Sequence, residues 1–446
     1  MDGRTAPEIE RNDRKVIEMA DVEHLIRKLS DNFEEYVVKQ EYASDTQVRF
    51  SNSKLDLTNI WDEYGIDIFV SSGRKTASIA VHSPDEGISK IDYLQKVLSN
   101  SPENSIYEGI NDKKQIYRAV DYKDDEKDVQ DMAVAAISSA EDEGARRVSG
   151  LIYKRSSEES IFTRYNTYSA HKYGIEAAVR SFIGESSGQY TAHYGPSSKA
   201  DTEEVGKRSV RSILKVDSVK GNEGKYRVIF SPMAFGNIIS YGSYLFSAYS
   251  IISGMSYLEG RIGKEVANES FSLVDDPTDT KGIGFEYFDD EATATKRNTI
   301  IERGILKTYL HSYSTAKKMH TETTGNAGII SPEAWQLEVD GGDSSLDEMI
   351  ADTKEGVVIM NSWYLRFQDY RNGVFSTVPR DGIYHIVKGE IKESWSGIRI
   401  SDSYSNVLSN ISLISKEAEY VKWWNEISAS KMPYIAIDKV TLTRSF

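Results

Sequence analysis

Apolar residues at Val22, Leu25, Ile26 and Leu29 repeat with the spacing of one helix face, and Asp21 stands before them as an N-cap, so the pattern predicts a helix over 21–30. The period then changes. Segments 35–42, 46–51, 55–61, 66–71 and 76–82 are short, rich in Val, Ile, Phe and Tyr, and separated by Ser, Asn, Asp and Gly, which predicts an antiparallel meander. Amphipathic helices are expected over 86–98 and 125–143, the second with Val129, Met132, Ala133, Ala136 and Ile137 on one stripe. Strand patterns return at 148–154, 160–166, 174–183 and 189–194.

Gly195, Pro196, Ser197 and Ser198 read as a linker, followed by a helix over 201–216 and a strand over 226–230. A serine-rich helix is expected over 238–255, and short strands with Gly-containing turns run from there to the end. Strands and helices in runs give an α+β class. Two domains are expected: an N-terminal one over 1–198, with a mixed or antiparallel sheet and helices, and a mostly antiparallel β domain with a few helices over 225–446. A linker-helix region, 199–224, joins them. The length, 446 residues, is too great for one ordinary core.

Composition narrows the function classes. There is no cysteine, which removes thiolate nucleophiles, Fe–S clusters and Cys-ligated zinc. Lys and Arg number 54 against 69 Asp and Glu, a net charge of -15, and such a chain repels a polyanion unless a basic patch is segregated. The most basic stretch, Lys207, Arg208, Arg211, Lys215 and Lys220, has mixed spacing and follows acidic residues, so it reads as a solvated helix face and no nucleic-acid partner is expected. Residues 1–15 are polar and lack the apolar core of a signal peptide. Segment 238–255 is interrupted by serines and is too polar for a lipid span. A cytoplasmic protein with no membrane partner is expected.

Gly184-Glu185-Ser186-Ser187-Gly188 matches the formula of a nucleophile elbow, but that elbow needs a helix after the serine. Segment 189–194 reads as a strand, so a hairpin turn is expected. The seven histidines (His24, His82, His171, His193, His311, His320 and His385) include no pair at the spacing of a helical zinc site, and each reads as a surface or core-edge residue. Around Gly254–Lys264 the spacing fits no phosphate-binding loop. Two acidic segments, Asp275-Asp276-Pro277 and Phe288-Asp289-Asp290-Glu291, could bind a hard cation or orient a cationic substrate terminus. They are equally good turn chemistry, and spacing alone favours solvated turns.

Taken in order, Gly284-Phe285-Glu286-Tyr287-Phe288-Asp289-Asp290-Glu291, then Thr299, Ile300, Gly304-Ile305-Leu306, Tyr309-Leu310, Ala316 and Thr324-Gly325-Asn326, resemble the carboxyl half of TldD/PmbA metallopeptidases. Weaker matches run through Gly341, Gly356, Gly373 and Gly389, so the resemblance covers 226–446. In the catalytic type, a helix near the start of this half carries H-E-x-x-x-H, and a cysteine near the carboxyl terminus adds a zinc ligand. Here the corresponding segment, Ser240-Tyr241-Gly242-Ser243-Tyr244-Leu245, has neither histidine nor glutamate, and the tail near 428–432 has no cysteine.

The resemblance therefore implies a non-catalytic TldE (PmbA) type of subunit that binds no cofactor itself. Zinc would be held by a TldD-like paralogue as its partner, the pair would cleave unfolded or short peptides, and a homodimer could form in isolation. Asp289, Asp290, Glu291, Thr324, Gly325 and Asn326 are the peptide-binding candidates, and no residue is assigned a catalytic or metal-binding role. A self-sufficient metallopeptidase with an unrecognised site, or a protein-binding modulator of the DNA-gyrase kind, remain the alternatives.

Overall fold

The computed structural model describes residues 22–118, 122, 124, 127–422 and 428–444. The polar lead, the Asp21 cap and the first two residues of the helix expected over 125–143 lie outside that set. Helix α1 (22–32) buries Val22, Leu25 and Leu29, the stripe its spacing predicts. Strands β1 (Glu35–Ser51), β2 (Lys54–Ser72) and β3 (Lys75–Val81) follow, then α2 (Pro84–Ser89), α3 (Ile91–Asn100) and α4 (Val129–Asp142). Three more strands, β4 (Arg147–Thr163), β5 (Thr167–Ile183) and β6 (Ser186–Tyr194), complete an antiparallel sheet of order β3-β2-β1-β4-β5-β6. Helices α1 and α3 pack on β1–β3, while α4 and α5 (Thr202–Arg211) pack on β4–β6.

The second sheet has 12 strands: β7 (Ser218–Lys220), β8 (Gly224–Phe230), β9 (Leu273–Asp275), β10 (Asn298–Glu302), β11 (Ile305–Leu306), β12 (Gln336–Val339), β13 (Glu355–Asp369), β14 (Val374–Val387), β15 (Glu390–Ser396), β16 (Ile398–Ser403), β17 (Ile411–Val421) and β18 (Ala429–Arg444). It is mixed: β12 with β18, β8 with β13 and β7 with β15 run parallel, and the other pairings are antiparallel. Helices α6 (Pro232–Tyr241), α7 (Ala248–Ile252), α8 (Tyr313–Lys318), α9 (Leu346–Asp352) and α10 (Tyr404–Ser409) are short. The largest apolar core lies here, from Phe230 and Phe235 to Ile437. A smaller cluster joins the sheets, packing Val37 and Ile161 of the first against Phe285, Tyr287 and Phe288 of the second half.

Several expected breaks are absent and two expected continuities are broken. The strands predicted as 35–42 and 46–51 are one strand, because Asp45 is fully buried and takes a hydrogen bond from Tyr153 (2.5 Å) and an ion pair from Arg155 (2.9 Å). The helix expected over 86–98 is split at Lys90 into α2 and α3. The serine-rich segment is three pieces, α6, a 3-10 turn at Ser243–Phe246, and α7. Gly242 caps α6 against the ring of Tyr404, which a Cβ at that position would meet at 2.3 Å.

The Gly184–Gly188 motif is a hairpin, as its context predicts. Gly184, at φ 59°, and Glu185 form the turn, while Ser187 lies in β6 and donates to Asp381 (2.6 Å). The stretch read as a linker is pinned: Gly195 and Ser197 donate backbone N–H groups to the carbonyls of Lys281 and Thr280.

Candidate functional site

The six candidate residues lie on two loops, one between β9 and β10 and one between α8 and β12. Asp289 is fully buried, and its carboxylate accepts the backbone N–H groups of Glu291 (2.9 Å), Thr293 (2.8 Å) and Ala327 (3.0 Å). Asp290 donates its N–H to the Ala327 carbonyl, so the loops are stitched together from both sides. Asn326, also fully buried, donates to Asp275 (2.6 Å) and to the Glu333 carbonyl (2.8 Å), and accepts from Asn298 (3.1 Å). Thr324 takes the His311 N–H (2.7 Å), and Gly325, at φ 73°, accepts from the Trp335 indole (2.9 Å).

The expectation of solvated turns is therefore corrected at Asp275 and Asp289. Both are fully buried, because backbone and amide donors on the facing loop replace water for each carboxylate. Burial nevertheless pushes both carboxyls up to about 7, against the hydrogen bonds that lower them. His311, read as a surface or core-edge residue, is buried, and burial lowers it to about 4.

Asp290 also belongs to a group of charges between the two sheets that sequence reasoning missed. Lys39 of β1 reaches Asp290 (2.7 Å) and Glu159 of β4 (3.0 Å), and Lys172 of β5 reaches Glu159 (2.5 Å) and Glu286 (2.6 Å). Two ammonium groups thus hold three carboxylates. Glu159 is desolvated, which raises its carboxyl, but the two lysines outweigh that and pull it down to about 2. Burial pushes Glu286 up to about 7 and raises Asp290, so the surplus negative charge is relieved on the loop side. The available signal was alternation. Lys39, Glu41 and Asp45 recur at period two along β1, as Arg155 and Glu159 do along β4, marking a charged sheet face opposite the helices.

A second constellation lies at the end of α6. Ser240 donates its hydroxyl to the Ser428 carbonyl (3.0 Å) and accepts the Ser428 N–H (2.7 Å), which brings the segment 240–245 and the tail together. His193 reaches the same tail, with Nε2–H donating to the Ser430 carbonyl (3.1 Å) and Nδ1 accepting the Ile283 N–H (3.1 Å). Burial lowers it to about 4, so the ring is neutral and both nitrogens are committed.

Residues 223–444 match the family described as PmbA/TldA metallopeptidase C-terminal domain. The chain belongs to the TldD/PmbA family. Curated relatives include Metalloprotease MJ0996 of Methanocaldococcus jannaschii, 30% identical over 44% of this chain and 45% of that protein. A metalloprotease PmbA homolog of Buchnera aphidicola is 28% identical over 48% and 46% respectively. The matches thus span about half the length of these curated relatives. Two solved structures align throughout: TldE from Thermococcus kodakarensis (TM-score 0.81, 19% identity, 95% of this chain and 100% of that one), and a Thermotoga maritima protein named for modulation of a DNA gyrase (0.80, 22%, 95% and 100%). At these identities the likeness is one of fold.

The metal that the TldD/PmbA resemblance implies can be tested against the side chains present. At the two segments where its ligands would stand, the structure places a serine hydroxyl and a serine backbone that satisfy each other, and a histidine whose nitrogens are both in use. Tyr241 and Tyr244 turn to Phe367 at ring distances of 5.6 and 4.8 Å. Hydroxyls and aromatic rings do not make a zinc donor set. Among the described residues, no group of three or more His, Cys, Asp or Glu side chains could hold a metal ion. The residues at this place do not fit zinc.

Proposed function

We propose that this chain is a TldE-type subunit, inactive alone, of a TldD/TldE-type zinc metallopeptidase that acts on unfolded or short peptides. The observation that carries the reading is the Ser240–Ser428 pair, because it joins the two segments where ligands are expected with groups unable to acidify a water. The fold likeness to TldE and the metalloprotease names of the curated relatives support it. In this reading a TldD-like paralogue holds the zinc, and this chain supplies walls and peptide contacts from the 289–291 and 324–326 loops. The described helices include none long and apolar enough to cross a membrane, and the complex is proposed to work in the cytoplasm.

The test is cleavage of an unfolded peptide by this chain, by the paralogue and by the mixture. Chelator-sensitive cleavage that needs both chains is expected. Chelator-sensitive cleavage by this chain alone would refute the proposal.

A further inference from the structure

A cavity of about 250 Å³ opens where the edge strand β3 meets the candidate loops. Val37, Phe69, Ile106, Tyr107, Tyr249 and Ile330 give it apolar walls, and Asp290 and Glu291 reach it from one side. Four carboxylates gather around this point, namely Glu35, Asp289, Asp290 and Glu291, and two of them are accounted for. Asp289 uses its oxygens on three backbone N–H groups, and Asp290 is paired with Lys39. Glu35, which does not line the cavity, accepts the Tyr107 and Ser71 hydroxyls on one oxygen, Oε2. Glu291 does line the cavity. Its Oε2 accepts the Tyr313 N–H (2.8 Å), whereas among the described residues its Oε1 has no hydrogen-bond partner and no lysine or arginine pairs with it.

The nearby cations are already engaged. Lys39 is shared between Asp290 and Glu159, and Lys317 and Lys318 donate to the carbonyls of Glu108 and Ser105. Desolvation, with Asp289, Asp290 and Glu35 close by, pushes the Glu291 carboxyl well above its ordinary range. A half-buried, desolvated acid in this state is relieved either by a proton or by a cation, and a cation entering the cavity meets surplus negative charge.

We propose that this cavity is a subsite for a primary ammonium carried beside an apolar side chain, that is, the amino terminus of a peptide, with Glu291 as counter-ion. The volume lies just below the roughly 300–1,000 Å³ of ordinary ligand pockets, which suits one terminal residue and excludes folded chain. The walls take the side chain and Glu291 takes the charge. The inference rests on the peptide role proposed above and gives it a substrate feature, a free amino end.

Leucinamide is the probe, titrated calorimetrically into the full chain without a paralogue. Saturable one-to-one binding is expected, with at least a tenfold loss in Glu291→Gln, whose amide oxygen still accepts the Tyr313 N–H. Ser78→Leu, on the strand face shared with Phe69, fills the cavity and leaves Glu291 in place, and should lose binding equally at an unchanged melting temperature. Nα-acetyl-leucinamide, with the same side chain and no charge, should not bind, and Nα-acetyl-lysinamide should bind far more weakly. Undiminished binding to Glu291→Gln, equal binding of either acetylated probe, or no saturable binding of leucinamide would each overturn the assignment. Because the paralogue is absent from this titration, failure of joint cleavage and failure of the subsite are separate results.

Discussion

Replacing Lys172 with Met removes one of two ammonium groups from three carboxylates, leaving Glu159, Glu286 and Asp290 to share Lys39. Lys172 makes ion pairs at 2.5 and 2.6 Å with side chains only 4% and 15% exposed, so solvent screens them little. Breaking such a buried pair costs about 3–5 kcal/mol, because the partner charge is left uncompensated. Glu159→Gln also breaks two pairs, yet it leaves two carboxylates for two ammonium groups, and the amide keeps hydrogen-bonding capacity. Its cost should be about half as large, ~2 kcal/mol.

The pH dependence separates the two variants further. Glu286 is raised from 4.5 to about 7, so the stability it contributes is present below about pH 4.5 and is lost as pH rises through 7. At 1.36 kcal/mol per unit this amounts to about 3 kcal/mol at most. Protonated carboxyls need no ammonium, so the Lys172→Met deficit should shrink between about pH 8 and about pH 5.5 while that of Glu159→Gln changes less. Urea unfolding at both pH values measures it. Equal costs for the two variants, or a Lys172→Met deficit independent of pH, would refute the charge count.

Two further outcomes are expected. His193→Ala should cost about 3–4 kcal/mol in a denaturant melt, through a cavity and the orphaned Ile283 N–H and Ser430 carbonyl. Since burial lowers His193 from 6.5 to about 4, its contribution is present above pH 6.5 and lost as pH falls through 4. Imidazole NMR should accordingly report the neutral Nε2–H tautomer throughout that window. Asn326→Ala should cost about 2–3 kcal/mol in a thermal melt, because Asp275, Asn298 and the Glu333 carbonyl each lose a buried partner.

The elements were legible wherever burial follows a single period. The α1 stripe, the β5–β6 hairpin and the α+β class all come from local pattern, since each depends on neighbours within a few residues. Continuity across Asp45 was not legible, because it depends on Arg155 and Tyr153, more than a hundred residues away. The splitting of the serine-rich helix depends on Tyr404 packing against Gly242, another distant contact. The candidate site was half legible: the sequence marked Asp289, Asp290 and Asn326 as a set, and the fold brings them together. What it could not display is that their partners, Lys39 on β1 and Asp275 at the end of β9, convert an acidic loop into a buried knot.

The central claim, that the place where zinc would sit is filled by groups that do not bind it, is tested most directly by elemental analysis of the purified, tag-free chain after incubation with zinc and removal of excess. Folded protein with far less than one zinc per chain is expected. One tightly held zinc per folded chain would contradict it.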